Sequence, residues 1–591
     1  MIAHNASQAS DGSSNDQAFN YFKLNKPLYD QIIGTQITNG DNPPLASVIM
    51  CVYNTPANVL RAAIKSVYAQ TYPNWELCIV DDHSSSEATK KALAKFQQDD
   101  RIKIYLSSTN KGISQATNNA IGISSGEFVA FMDHDDILLP NALMQCVERL
   151  LARSADIVYT DQATVNQKGR IVHEFRKPAW SPEYLRHVMY VGHLLVMRRT
   201  TIEATGLFDS RFDGVQDFEY LLRASEKTQK IEHIPVILYH WRAIPGSLAF
   251  SETAKDNIAE LQAKAVQEHL QRLGIQGLAT PLIGHKHRCR VTPNLHTHPK
   301  VSIIIPTKDS PELIQRCLQS IFSLTSYSNF EVVCVDTGST DKNAISILES
   351  SHAKLVNFVR DTFNFSAACN FGADHATGDV LIFLNNDTEV ITCGWIEELV
   401  FYLSIDGVGI AGPLLLYPND TVQHAGVVIG PRGTADHAMR YFPSSSDGYA
   451  GSLTCPREVS AVTGACLAIK KNLFQQLEGF STLYFTHYQD VDLCLKAREL
   501  GMRCIFVASA RLIHHESLTR GGHYDYLDRL LFIDTWRNII KSGDRYYNPA
   551  LSLEKIDYSL KQRTHKLPYY RHLIYTILRK FANKIRSLGF R

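Results

Sequence analysis

The chain of 591 residues has no apolar run near the length of a bilayer crossing, so no transmembrane helix is expected. No basic segment followed by an apolar one opens it, so no signal peptide is expected. Its twelve cysteines include no Cys-x-x-Cys pair, and most sit in apolar stretches, as Cys78, Cys334 and Cys466 do. That disfavours zinc and disulfides and points to buried, reduced thiols in a cytosolic protein. Acidic residues are missing after Asp557, where nine basic ones remain, from Lys561 to Arg591. The overall net charge of +1 less those nine leaves −8 for the rest of the chain.

In that basic tail Leu573, Ile574, Ile577, Leu578, Phe581, Ile585 and Leu588 recur at helical spacing. They form one stripe roughly 140° wide, with Arg579 and Arg586 opposite. This is the pattern of an amphipathic helix lying on an anionic membrane surface, and it predicts a peripheral protein on the cytoplasmic face of the inner membrane. The alternative is a helix packed on its own domain.

What is present is a long repeat. Residues 45–270 carry an ordered series of landmarks, and residues 300–540 carry it again. The copies open with Ser47-Val-Ile-Met-Cys-Val and Ser302-Ile-Ile-Ile-Pro-Thr. Each has a strand ending in acid (Asp81-Asp82; Asp336) and an apolar strand running into an acidic cluster (Asp133-His-Asp-Asp136; Asn385-Asn-Asp387). A glycine follows (Gly192; Gly464), then a Gln-Asp pair (Gln216-Asp217; Gln489-Asp490) and a late histidine (His240; His514 or His515). Gly192 to Asp217 is 25 residues and Gly464 to Asp490 is 26. A period this long means two domains, not a solenoid. Residues 1–44 read as a disordered or short helical extension, 271–299 as a linker whose histidines are solvated, and 541–591 as the basic tail.

Within each copy short β-branched strands alternate with amphipathic helices. The first has strands at 47–52, 75–80, 102–106 and 128–132, and helices at 56–70, 87–96 and 113–123. The second has strands at 301–305, 331–335 and 380–384, and helices at 313–323 and 365–373. Such alternation predicts an α/β fold with a parallel sheet and helices on both faces. Ligands of such sheets bind beyond the carboxyl ends of the strands, where Asp81, Asp82, Asp133, Asp135, Asp336 and Asp387 fall. Hard oxygen ligands there suit Mg²⁺ or Mn²⁺ bound together with phosphates, and a nearby imidazole favours Mn²⁺. Asp217 and Asp490 are expected to open helices, where a carboxylate fits an N-cap or a general base equally well.

Taken together these motifs resemble the family 2 glycosyltransferases with the GT-A fold, a nucleotide-diphospho-sugar transferase, Rossmann-like architecture, present as a tandem pair. In the first copy the likeness rests on Val80-Asp-Asp-His-Ser-Ser85, Asn110-Lys-Gly-Ile-Ser-Gln-Ala-Thr-Asn118 and Asp133-His-Asp135. The second copy is similar to the branch that includes rhamnosyltransferases and O-antigen assembly enzymes, through Phe363-Asn-Phe-Ser366, Leu384-Asn-Asn-Asp-Thr388, Gln423-His-Ala-Gly426, Val462-Thr-Gly-Ala465 and Tyr488-Gln-Asp-Val-Asp492. The resemblance implies an inverting transfer from nucleotide-diphosphate sugar donors to a glycan acceptor, lipid-linked in such systems. It implies that Asp81, Asp82, Asp133, Asp336 and Asn385 bind the nucleotide sugar and that Asp217 and Asp490 are the bases. Asp135 with His240, and Asp387 with His514 or His515, would hold the metal.

Copy two departs from copy one at Asn385 (for Asp133) and Thr337 (for Asp82), which puts weaker metal dependence in prospect there. Neither copy has Gln-x-x-Arg-Trp, so a long processive run is not expected. One active domain beside a binding module is the second reading. A nucleotidyltransferase is disfavoured because Tyr53-Asn-Thr-Pro56 and Thr307-Lys-Asp-Ser310 are not Gly-rich basic loops, and near-neutral domains disfavour nucleic acid as a partner.

Overall fold

The computed structural model describes residues 43–243, 257–285, 287–515 and 526–562. The amphipathic stripe of the tail and nearly all of the 1–44 extension lie outside the described residues.

Strands β1 (Ala46–Val52), β2 (Trp75–Asp81), β3 (Ile102–Leu106) and β4 (Phe128–Phe131) are parallel. Strands β5 (Ile137–Leu138), β6 (Ile157–Val165), β7 (Ile171–Phe175), β8 (Leu195–Arg198) and β9 (Ile231–Arg242) complete the first sheet. Its order is β3-β2-β1-β4-β8-β6-β9-β5, with β7 beside β6. A hairpin, β10 (Gly277–Pro281) and β11 (Cys289–Pro293), follows. The second sheet is built from β12 (Val301–Thr307), β13 (Phe330–Asp336), β14 (Lys354–Asn357), β15 (Val380–Leu384), β16 (Thr388–Val390), β17 (Val408–Leu416), β18 (Val422–His424), β21 (Arg457–Val459), β22 (Cys466–Lys470) and β23 (Arg503–His514), while β19 (Val427–Ile429) and β20 (Ala435–His437) pair separately. Its order, β14-β13-β12-β15-β22-β17-β23-β16, repeats the first place for place.

The sheets are mixed, not wholly parallel as expected: β8 runs antiparallel to β4 and β6, and β22 to β15 and β17. Parallel neighbours need a helical crossover, and the strand–helix alternation that supplies it ends at β4 and β15. Where it holds, the helices form for plain reasons. Ala57–Tyr68 buries Leu60, Ala63, Ile64 and Val67, an i, i+3, i+4, i+7 stripe. Its counterpart Pro311–Leu324 starts on a proline, whose missing N–H costs nothing in the first turn.

The expected linker is ordered. Helix Ile258–Leu273 ends on Gly274 (φ 67°) and leads into the hairpin. Cys289 N–H donates to the His187 carbonyl (2.9 Å), and Arg290 Nη2 lies 3.2 Å from Glu398 Oε1. The hairpin is thus tied to both units. His287, His296 and His298 are exposed, as solvated histidines should be, whereas His285 pairs with Asp447 at 3.4 Å.

The units share a buried polar interface. Arg503 of β23 reaches Glu183 (2.9 Å) and Glu458 (2.6 Å), and Tyr184 Oη donates to the Ala450 carbonyl (2.7 Å). Trp180, Tyr184 and Tyr190 pack into the apolar cluster that runs through both units. The first part of the expected tail, up to residue 562, straps back over this interface. Its Asn548 donates to Asp161 (2.9 Å to Oδ2) and to the Lys177 carbonyl (3.0 Å). Among the described residues no helix is long and apolar enough to cross a membrane.

Candidate active sites

In the first unit the chain leaves β4 and turns through Asp133-His-Asp-Asp136 before β5. Carboxylate oxygens of Asp133, Asp135 and Asp136 lie within 4.8 Å of one another. Asp136, fully buried, accepts from Tyr239 Oη (2.6 Å) and Arg242 N–H (2.9 Å). Burial first, then the charges of Asp133 and Asp135, hold Asp136 well above the ordinary carboxylate range. Asp135 is also raised, by burial and by Asp133, with His134 opposing. Three crowded carboxylates, two of which resist ionising, are a fit donor set for a hard divalent cation, which supplies counter-charge.

The sequence did not single out His193, one residue past Gly192. Its Nε2 is 3.2 Å from Asp133 Oδ2, and its ring stacks on Tyr239. Burial works against its charged form, yet Asp133 and then Asp217 outweigh it and lift the pKa to about 9. Asp133 is correspondingly lowered despite burial. Asp217 lies in the first turn of helix Gln216–Ser225, whose N-cap is Val215, so it is not a cap. Burial raises its pKa, with the charge of His193 opposing. Because the folded pKa of His193 exceeds its ordinary 6.5, its contribution to stability is complete below that value and is lost as pH rises through about 9. Melting curves in EDTA are therefore expected to show a decline across that window, and His193→Gln to flatten it; an unchanged slope in the variant would count against the pairing.

Two predicted nucleotide-binding acids have structural work. Asp81 Oδ1 accepts from Ser84 Oγ (2.5 Å), and Asp336 Oδ1 accepts from Ser339 N–H (2.9 Å) and Oγ (2.7 Å); each closes the turn after its strand. Asp82 accepts from the amides of Lys111 (3.0 Å) and Gly112 (2.9 Å) and so pins the loop before helix Ile113–Ile123 to the cleft rim. Gly112 is required there: φ is 88°, and a Cβ would meet Asp213 Oδ2 at 2.4 Å.

The second unit assembles Asn385, Asp387, Asp490 and His514 around a cleft of about 590 Å³. His514 Nε2 is 3.1 Å from Asp387 Oδ1 and 3.3 Å from Asn385 Nδ2. His515 turns the other way, to Glu389 (3.2 Å), which decides between the two histidines. Asp490 sits in the first turn of helix Gln489–Glu499 behind the N-cap Tyr488; its Oδ2 accepts from Gly464 N–H at 2.7 Å. His424 is fully buried behind the cleft, its Nε2 accepting from Gly426 N–H (3.3 Å), and burial holds its pKa well below the usual value.

Strand register corrects the pairing of the late histidines. His240 lies opposite Ile137 and Ala163, whereas the matching places opposite Glu389 and Leu416 belong to Ile513. His514 is therefore the counterpart of Trp241. Tyr239 points at Asp133 and Asp136, so its neighbour His240 points to the opposite face, and burial alone lowers its pKa to about 4. It is outside the group formed by Asp133, Asp135 and Asp136. Likewise His193 is matched by Ala465. The close histidine–carboxylate pairs, His193 with Asp133 and His514 with Asp387, thus come from non-equivalent places in the two units.

Residues 47–206 and 302–477 match the family model described as Glycosyl transferase family 2. The chain belongs to glycosyl transferase family 2. The matched stretches fall one in each duplicated sheet, short of β9 and β23, and the GT-A type of α/β fold follows. The chain is 37% identical to the uncharacterized protein y4gI of Sinorhizobium fredii over 88% of its own length and 59% of that protein. It is 35% identical to the O-antigen biosynthesis protein RfbC of Myxococcus xanthus over 88% of its own length and 41% of that protein. The chain thus spans less than two thirds of either relative. The crystal structure of S. aureus TarS 1-349 in complex with UDP-GlcNAc is similar at 19% identity and a TM-score of 0.33, over 38% of this chain and 66% of that one. As a family 2 member the chain is a glycosyltransferase, related to proteins of polysaccharide synthesis.

Proposed function

We propose that both units are working sites of an inverting, metal-dependent transferase that moves sugars from nucleoside-diphosphate sugars to a growing, lipid-linked bacterial surface polysaccharide at the cytoplasmic face of the inner membrane. The observation that carries this reading is the recurrence, at topologically equal places, of a carboxylate at the end of β4 or β15 and a second carboxylate in the first turn of the helix across the cleft. Mn²⁺ or Mg²⁺ held by Asp133, Asp135 and Asp136, or by Asp387 and His514, would neutralise charge on the departing diphosphate. Asp217 and Asp490 each accept one proton from the attacking acceptor hydroxyl, while the anomeric carbon takes on oxocarbenium character. One base and no second carboxylate nucleophile is the arrangement for inversion. The name of the Myxococcus xanthus relative, an O-antigen biosynthesis protein, supports the acceptor class. The test is a panel of nucleotide sugars with Mn²⁺, a membrane extract of lipid-linked glycans as acceptor, and nucleoside diphosphate release as readout; no release from any donor would sink the reading.

Helix Tyr526–Thr535 positions the second base. Asp528, 1% exposed, accepts from the amides of Phe485 (3.0 Å), Thr486 (2.9 Å) and His487 (2.9 Å), just ahead of Asp490. Phe532 stacks on Tyr488, and Trp536 Nε1 donates to Asp492 (2.9 Å). Asp528→Ala leaves three amides without their acceptor, each worth about 1–3 kcal/mol if buried. Transfer at the second site is expected to fall by at least about tenfold, with transfer at the first unchanged. Equal loss at both sites would show general unfolding instead.

A further inference from the structure

Lysine is almost never fully buried unless its ammonium finds partners. Lys177, two residues past β7, is fully buried. Its Nζ donates to the backbone carbonyls of Val191, in close contact, and of His193, at 2.7 Å. These carbonyls flank Gly192, whose φ of 48° bends the chain just before β8. One ammonium therefore ties both ends of the turn that carries His193. Beyond the turn the His193 imidazole lies 3.2 Å from Asp133 and stacks on Tyr239. A displacement of about 1 Å at the turn takes the imidazole out of hydrogen-bond reach of Asp133.

Lys177 is itself held from the second unit. Its N–H donates to Asp161 Oδ1 (3.0 Å). Asn548 of the strap, 3% exposed, donates to both Asp161 oxygens (3.2 and 2.9 Å) and to the Lys177 carbonyl (3.0 Å). The Asn548 Oδ1 accepts from Ala550 N–H (3.0 Å), so both ends of its amide are engaged. Arg176 (3.3 Å) and His233 (2.8 Å) complete the shell of the buried Asp161. The run is continuous from Asn548 through Asp161 and Lys177 to the His193 turn and Asp133.

We propose that Lys177 is a positioning residue of the first site, holding the 191–193 turn so that His193 fixes Asp133, and that Asn548 lets the second unit set this geometry. Its effect on transfer rests on the reading of the first cleft as a transfer site; the linkage itself does not. Asp133 is one of the three acids placed to hold the metal, and groups that orient such ligands weigh about 10- to 100-fold in metal affinity. Residues 526–562 then serve both sites, through Asn548 at the first and Asp528 at the second.

Two measurements on the full chain test it. The first needs neither metal nor substrate. In EDTA, Asp133→Asn is expected to shift the melting temperature of the wild type, and to shift that of Lys177→Met by less than about half as much, because the released turn no longer offers His193 to the acid. If Lys177 served packing alone, the two changes would simply add. Equal shifts in both backgrounds, or no shift in the wild type, overturn the linkage. Should Lys177→Met fail to fold, Asn548→Ala, which keeps the ammonium, takes its place in the same comparison.

The second measurement uses an Asp490→Asn background, so that only the first product forms. The Mn²⁺ giving half-maximal rate is expected to rise about 10- to 100-fold in Lys177→Met, and in the same direction in Asn548→Ala, with kcat at saturating Mn²⁺ within about threefold of the parent. Lys177→Met combined with His193→Gln is expected to be no worse than His193→Gln alone. A fall in kcat at every Mn²⁺ level, or additive losses in the double variant, marks a merely structural lysine and overturns the proposal. Absence of any first product refutes the transfer reading of the cleft, while the melting comparison still decides the linkage.

Discussion

Asp217→Asn is expected to reduce transfer at the first site by about 10²- to 10⁴-fold, and Asp490→Asn to do the same at the second, each sparing the other. The asparagine keeps the shape and the backbone contacts of the acid but cannot take a proton. Donor affinity is expected to stay near that of the wild type, because neither residue belongs to the metal-side acids. Separate analysis of products from each single variant checks this. Two active variants, or one variant that loses both products, would refute the assignment. Because burial raises the pKa of Asp217, its share of the ionised form declines on acidification sooner than that of an ordinary carboxylate. The acid limb of kcat/KM for the first product should accordingly lie above the usual carboxylate range.

Asp387→Asn is expected to abolish metal-dependent transfer at the second site, while Asp135→Asn raises the Mn²⁺ needed at the first by about 10- to 100-fold. The difference follows from the donor sets. Without Asp135 the first site still has Asp133 and Asp136, whereas Asp387 is the carboxylate that His514 and Asn385 flank in the second. Titrating Mn²⁺ against each product, in the wild type and in both variants, decides the matter. A wild-type second site that saturates at less Mn²⁺ than the first would contradict it.

The elements expected in the parallel half of each unit lie within one or two residues of their observed bounds, although β14 and helix Lys342–Ser350 of the second unit were not foreseen. Ile102–Leu106, Ile113–Ile123 and Val380–Leu384 occur as expected, because period-2 and period-3.6 patterns there report burial directly. The antiparallel half was not. β8 and β22 are short, and their direction is set by what β4 and β15 leave unpaired. The hairpin within the linker was not foreseen; there Gly274 caps a helix and Gly284 lies in the hairpin turn.

The sequence by itself determined the duplication, the family and the acids at the strand ends, since these depend on residue types in order. Only the tertiary structure decided which histidine meets which acid. His514 and His515 are neighbours in sequence, yet alternate side chains leave a strand on opposite faces, so one meets Asp387 and the other Glu389. His193, in the turn before β8, meets Asp133, while His240 leaves β9 on the face opposite Tyr239. The aspartates that look alike in sequence are likewise sorted by hydrogen bonds: Asp81 and Asp336 close turns, Asp528 clamps the loop before Asp490, and Asp136 is locked by Tyr239. The turns of Asp81 and Asp336 are local, but the contacts that join residues 29 to 129 apart in the two clefts leave no local pattern to read.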